Sequence, residues 1–150
     1  MSDLELDNFP QGNDWRLESK FQRGIAIASF VNSFALIESN GRAIAGTRSQ
    51  KIKRLTPSHF ILHKGDGAQL FLQPGKFGNT YDSVEFATYP DLFFIGIRNF
   101  KAFLIDHLLN EIGTYDTLFQ NGDFILACEE GKWGVINCYN QVLTDFKDEH

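Results

Sequence analysis
Cysteine and methionine are close to absent from this chain, with two of the former and one of the latter in 150 residues. Two thiols exclude a disulfide framework, and neither Cys128 nor Cys138 has the spacing of a metal site. Long hydrophobic runs are missing as well: no apolar stretch approaches the roughly 18 residues of a membrane helix, and none follows a basic start. A soluble, reducing, cytoplasmic setting is therefore expected. Catalytic fingerprints are absent too, with no Gly-x-Ser-x-Gly, P-loop or dinucleotide motif, and GKFGNT over 75 to 80 reads only as a turn.

What the chain does have is phenylalanine, 15 residues of it, within a composition that is 43% hydrophobic and 22% charged. Its length suits one domain able to bury a core without staples or metals. Apolar stretches are short, rich in Phe, Ile, Leu and Val, and bounded by Gly, Asn, Asp or Pro, which is the pattern of strands. The net charge of -5 is unevenly spread. Residues 1–20 carry -3, residues 21–55 carry +5 and the remainder carries -7.

An internal repeat organises these stretches. GIAIASFVNSFALIESNGRAI (24 to 44) matches GDFILACEEGKWGVINCYNQVL (122 to 143) as apolar run, turn, apolar run, turn and short apolar run. Segments from Phe60 and Phe93 fit the same template, which spaces Leu36, Phe71, Leu104 and Val135 by 35, 33 and 31 residues. First turns fall at Val31-Asn32, Asp66-Gly67, Asn99-Phe100 and Glu130-Gly131, where Asn and Gly tolerate positive φ. Second turns fall at Asn40-Gly41, Leu108-Leu109 and Tyr139-Asn140. This predicts an all-β fold, an antiparallel array of about four diverged β-hairpin or three-stranded repeats. An acidic arm (residues 1–20) would precede a single domain of four units at about 21–55, 56–90, 91–120 and 121–150. Residues 99–113 also have the look of an amphipathic helix, but the template makes Ala102 to Asp106 a strand.

Pairing about the first turns sets Ala28 opposite Ala35, Gly96 opposite Phe103, Ala127 opposite Gly134, and His63 opposite Leu70. The recurrent small residue implies close approach of a neighbouring unit, or of a large side chain such as Trp133. Cys128 falls opposite Trp133 and Cys138 opposite Asp123. That places the sulfurs roughly 16 Å apart at the strand rise, too far for a bridge.

GKWGVIN (131 to 137), followed by Gln141, Val142 and Leu143, resembles the bacterial WG or KWG β-repeat family. Tyr81-Asp82-Ser83 and Tyr115-Asp116-Thr117, 34 apart, resemble its connecting element. Only the last unit carries Trp-Gly; the others have Phe34-Ala35, Gln69-Leu70 and Ala102-Phe103 there. The resemblance implies a β-repeat array acting as an interaction surface, with no family-wide catalytic residues.

Candidate sites follow from residue types. The arm presents Phe9 and Trp15 beside Asp14, as an anchor for a protein partner or as cover for the first unit's open edge. Glu129 and Glu130 offer acids at a turn that would meet a protein partner, and solvation there argues against paired-carboxylate catalysis. Arg48, Lys51, Lys53 and Arg54 form a basic run, a solvated connector, a nucleic-acid footprint or a surface that meets an acidic patch on a protein partner. His59 and His63 share a strand face but lack a third metal ligand. The expected protein is thus a non-enzymatic protein-binding module without cofactor or metal. It would be an inhibitor or immunity-type protein that neutralises a toxin or enzyme; the alternative is a secreted or phage-borne effector binding a host protein or nucleic acid.

Overall fold
The computed structural model describes residues 15–148, with the Trp15 side chain outside that description. Among these residues every regular element is a strand, arranged in four antiparallel sheets of three or four strands each. Residues 99–113 contain no helix. The chain divides into two compact units, residues 1–76 and 77–150.

In the first unit, β1 (Trp15–Leu17), β2 (Ile25–Phe30) and β3 (Ser33–Glu38) form one sheet. Next come β4 (Lys51–Arg54), β5 (His59–Lys64) and β6 (Gly67–Leu72), paired in that order, and the chain leaves through β7 (Lys76–Tyr81), a strand and not only the turn expected of GKFGNT. Period-two alternation sends Ile25, Ile27 and Leu36 to one face, where they meet Phe60, Leu62, Phe71 and Ile52 of the following sheet. The opposite face of the first sheet is a buried run of small and aliphatic residues, Ala26, Ala28, Ala35, Ile37 and Ala43.

The second unit repeats that arrangement. Its third sheet is formed by β8 (Ser83–Ala87), β9 (Phe93–Arg98), β10 (Lys101–Ile105) and β11 (Glu111–Tyr115). The fourth comprises β12 (Thr117–Asn121), β13 (Phe124–Glu129), β14 (Lys132–Ile136) and β15 (Val142–Asp148). Phe93, Ile95, Ala102 and Leu104 of the third sheet pack on Leu118, Ile125, Ala127 and Ile136 of the fourth. The outer face of the fourth sheet carries Phe119, Phe124, Leu126, Cys128, Trp133 and Val135, by alternation against the inward Ile125, Ala127, Gly134 and Ile136. Phe124 is 52% exposed where the repeat-equivalent Phe93 is 3% exposed, while Leu126, Cys128, Trp133 and Val135 are half-buried, so this face lies partly open.

The registers place Ala28 opposite Ala35, Gly96 opposite Phe103, Ala127 opposite Gly134 and Cys128 opposite Trp133, as the repeat predicts. The second repeat differs. Lys64 pairs with Gly67, so its turn is Gly65-Asp66 and not Asp66-Gly67, and His63 faces Ala68, not Leu70. Gly65 takes the left-handed conformation (φ 55°), which a glycine at that position accepts without strain.

Second turns share one geometry at three places. The amide of Arg42's loop is typical: Glu38 N donates to Arg42 O and Gly41 N to Glu38 O. The same two bonds join Asp106 with Asn110 and Leu109, and Asn137 with Gln141 and Asn140. Each loop therefore spans three residues, with Gly41, Leu109 or Asn140 at positive φ, and Asn40-Gly41 is not a two-residue turn. Asp106 Oδ1 accepts from the Leu108 and Asn110 amides, and Asn137 Oδ1 from those of Tyr139 and Gln141.

The small residues are covered, but not by Trp133. Gly134 lies beneath the ring of Phe146, and Gly96 beneath that of Tyr81. Trp133 instead stacks on Phe119, with centroids 6.1 Å apart and planes at 11°.

Candidate functional site
The second unit holds a groove of about 310 Å³ between its two sheets. Ile95 and Ile97 of β9 and Leu118 of β12 form an apolar floor. Phe100 and Phe119 stand at the walls, and Glu85, Lys101, Asp116 and Thr117 complete the lining. Alternation along β12 explains the placement: Leu118 is buried toward the core while Phe119 is 55% exposed.

Phe100 occupies the tip of the β9–β10 hairpin. Asn99 and Phe100 both have positive φ (53° and 64°), the signature of a type I′ turn that favours Gly at the second position. The Phe100 side chain is 97% exposed and gains nothing from the fold's own core.

Charge surrounds the groove. Lys101 is ion-paired with Asp116 Oδ1, and Asp116 Oδ2 accepts the Glu130 amide at 2.8 Å. The Lys101 hydrogen bond, then the Glu130 amide, lower the Asp116 pKa. Asp116 raises that of Lys101, through its hydrogen bond and then its charge, with Glu129 and Glu130 adding to the effect. Glu129 and Glu130, anticipated as partner-binding acids, thus sit at the β13–β14 tip within electrostatic reach of Lys101. Glu85 makes no ion pair among the described residues.

The basic run does not form one patch. Arg54 is turned toward backbone: its guanidinium donates to Lys20 O, Gln22 O and Pro57 O and lies 4.8 Å from the centroid of the Phe60 ring. It clamps the Arg23-Gly24 hairpin turn with Gln73, whose Nε2 donates to Arg23 O. Arg48 is half-buried and donates to Ser33 Oγ at 3.1 Å. Only Lys51 and Lys53 are exposed, flanking the buried Ile52 on β4.

Other chemistry-bearing groups are structurally engaged. Glu111 accepts from the Tyr81 hydroxyl, from Asn79 Nδ2 at 3.1 Å and from Arg98 Nη1 at 3.2 Å. Burial and the Glu111 carboxylate hold the Tyr81 hydroxyl well above its ordinary pKa. Arg98 in turn lies 4.3 Å from the centroid of Phe103. Thr56 Oγ1 and His59 Nδ1 are 2.7 Å apart, and burial, then Lys51 and Lys53, push the His63 pKa down. Both cysteines are unbridged, and no cluster of His, Cys, Asp and Glu able to hold a metal occurs among the described residues. Phe9 and Asp14 lie outside the described residues, and for Trp15 only the backbone is described, paired with Phe30.

The sequence singled out Glu129 and Glu130 but not Glu85, Phe100, Lys101, Asp116 or Phe119. Phe100 carried the one available signal, a large apolar residue where turn chemistry calls for glycine.

These features define a four-sheet β-repeat protein with an aromatic groove rimmed by acids. No family model matches the chain, and no curated protein does. Among solved structures, KlHsv2 with loop 6CD replaced by a Gly-Ser linker aligns at TM-score 0.44 and 12% identity, over 91% of this chain and 53% of that one. Kluyveromyces lactis Hsv2 with complete loop 6CD aligns at TM-score 0.42 and 11% identity, over 83% and 47%. The chain spans about half the length of these structures. Likeness this loose carries nothing from those proteins to this one.

Proposed function
We propose that this chain is a non-enzymatic protein-binding module, an inhibitor or immunity-type protein that neutralises a protein partner with a basic surface. The supporting observation is Phe100, a fully exposed aromatic at a left-handed turn, beside a groove lined by Glu85 and Asp116, with Glu129 and Glu130 within electrostatic reach of its Lys101. Exposed aromatics supply most of the energy in protein interfaces, and complementary charge supplies selectivity and speed of encounter. The likeness of GKWGVIN to WG repeats points the same way. A nucleic-acid-binding effector finds less support, since Arg54 is committed to three carbonyls.

The test is affinity capture from native lysate with wild type and Phe100→Ser, at low and high salt. A stoichiometric basic protein held by wild type at low salt, released by high salt and not retained by the variant is the expected result. Failure of any basic protein to distinguish the two baits overturns the reading.

A further inference from the structure
We infer that the groove between β9 and β12 is a receptor for a single arginine side chain presented by a partner protein. The inference rests on the protein-binding reading and names the chemistry of that contact.

Size comes first. At about 310 Å³ the groove lies at the bottom of the range for small-molecule sites, which suits one long side chain. The lining has the order that arginine needs. Ile95, Ile97 and Leu118 form an apolar floor for the three methylenes of the stem, and Phe100 offers an aromatic ring for the guanidinium plane. Carboxylates stand at the rim. Lys101 is neutralised by Asp116, which leaves Glu85 in the lining and Glu129 and Glu130 close by as surplus negative charge.

Arginine over an aromatic ring recurs among the described residues. Arg54 lies over Phe60 at 4.8 Å and Arg98 over Phe103 at 4.3 Å from the ring centroids. In both cases the guanidinium also reaches oxygen acceptors, carbonyls for Arg54 and the Glu111 carboxylate for Arg98. The groove offers the same pairing of phenylalanine face and acidic oxygen with no arginine among its lining residues. Phe100 gives a second reason. A non-glycine residue at φ 64° costs backbone strain, and this one receives no burial in return within its own chain. Such outliers concentrate where a ligand supplies the missing contact. Arginine is preferred to lysine because its flat, weakly hydrated cation stacks on a ring, whereas an ammonium keeps its water.

The experiment titrates the full chain, isotope-labelled for NMR, with N-acetyl-Gly-Arg-Gly-amide and with the lysine and leucine analogues. The expected result is saturable shifts at Ile95, Ile97 and Leu118 with the arginine peptide, weaker binding of the lysine peptide and none of the leucine peptide. Phe100→Ser and Glu85→Gln each weaken the arginine peptide by about fivefold while the remaining resonances stay in place. Absence of saturation, equal response to the leucine peptide, or full binding by Phe100→Ser overturns the assignment. A captured basic partner with a silent arginine titration sinks the arginine receptor and spares the protein-binding module. Arginine binding without a captured partner does the reverse.

Discussion

The ring of Tyr81 lies directly on Gly96: a β-carbon there would sit 2.6 Å from Tyr81 Cδ1. Tyr81 stands two residues ahead of β8, and the following amide, Asp82 N, donates to Ile97 O beside that glycine. Asp116 N donates to Cys128 O in the same way, while Tyr115 stacks on Phe146 and bonds to Asn140. The Tyr-Asp pairs spaced by 34 residues are therefore corners that carry an aromatic ring from one sheet onto the next.

Gly96→Ala is expected to destabilise the protein by about 1–3 kcal/mol through overpacking, and Gly134→Ala, beneath Phe146, by a similar amount. Gly75→Ala, with open space and no left-handed backbone, serves as the neutral control. Urea unfolding midpoints of the three variants decide the matter; equal midpoints would remove the close-approach explanation.

Phe100→Gly creates an Asn-Gly type I′ turn. Relief of left-handed strain outweighs the added chain entropy, so stability should rise by about 0.5–1 kcal/mol. Calorimetry on the purified variant reads this as a higher Tm. A lower Tm would mean that the exposed ring contributes to the fold after all.

Glu111 sets an acid-sensitive element. Burial raises its pKa, but hydrogen bonds from Tyr81 and Asn79 together with the Arg98 charge outweigh that and leave it below the ordinary 4.5. A depressed folded value means that the carboxylate's stabilisation is complete above the unfolded pKa and is lost as pH falls through the folded one. Thermal midpoints taken from about pH 6 to about pH 3 should fall less steeply in Glu111→Gln than in wild type. Parallel profiles would show that the network is not coupled to folding.

Arg54→Ala strips three backbone carbonyls of their donor and should cost about 1–3 kcal/mol. The exposed pair Lys51→Ala and Lys53→Ala should stay within about 0.5 kcal/mol of wild type. Chemical denaturation of both variants separates a structural arginine from surface lysines. The reverse ranking would restore the basic run as one functional patch.

Strand identity and hairpin register were legible because they depend on neighbours in sequence. Glu130-Gly131 and Asn99-Phe100 announce their turns through Gly131 and Asn99, residues that accept positive φ. The second repeat slipped because Gly65-Asp66-Gly67 puts a glycine on either side of Asp66, and composition alone favours neither frame. The groove was less legible for a different reason. Leu118 and Phe119 are adjacent apolar residues, and which of them meets a neighbouring sheet is decided by packing between sheets. The covering of Gly134 by Phe146 was hidden likewise: Trp133 is the larger ring and the nearer in sequence, but alternation points it to the other face.

The partly open outer face of the fourth sheet bears on how such an array grows. Its Phe124, Leu126, Trp133 and Val135 take the places that Phe93, Ile95, Ala102 and Leu104 hold one repeat earlier. A tandem duplication of residues 117–148 would therefore bring a copy of the Leu118, Ile125, Ala127 and Ile136 surface to a template already dressed to receive it. A sheet bearing that surface would meet residues of the kind that already receive it one repeat earlier.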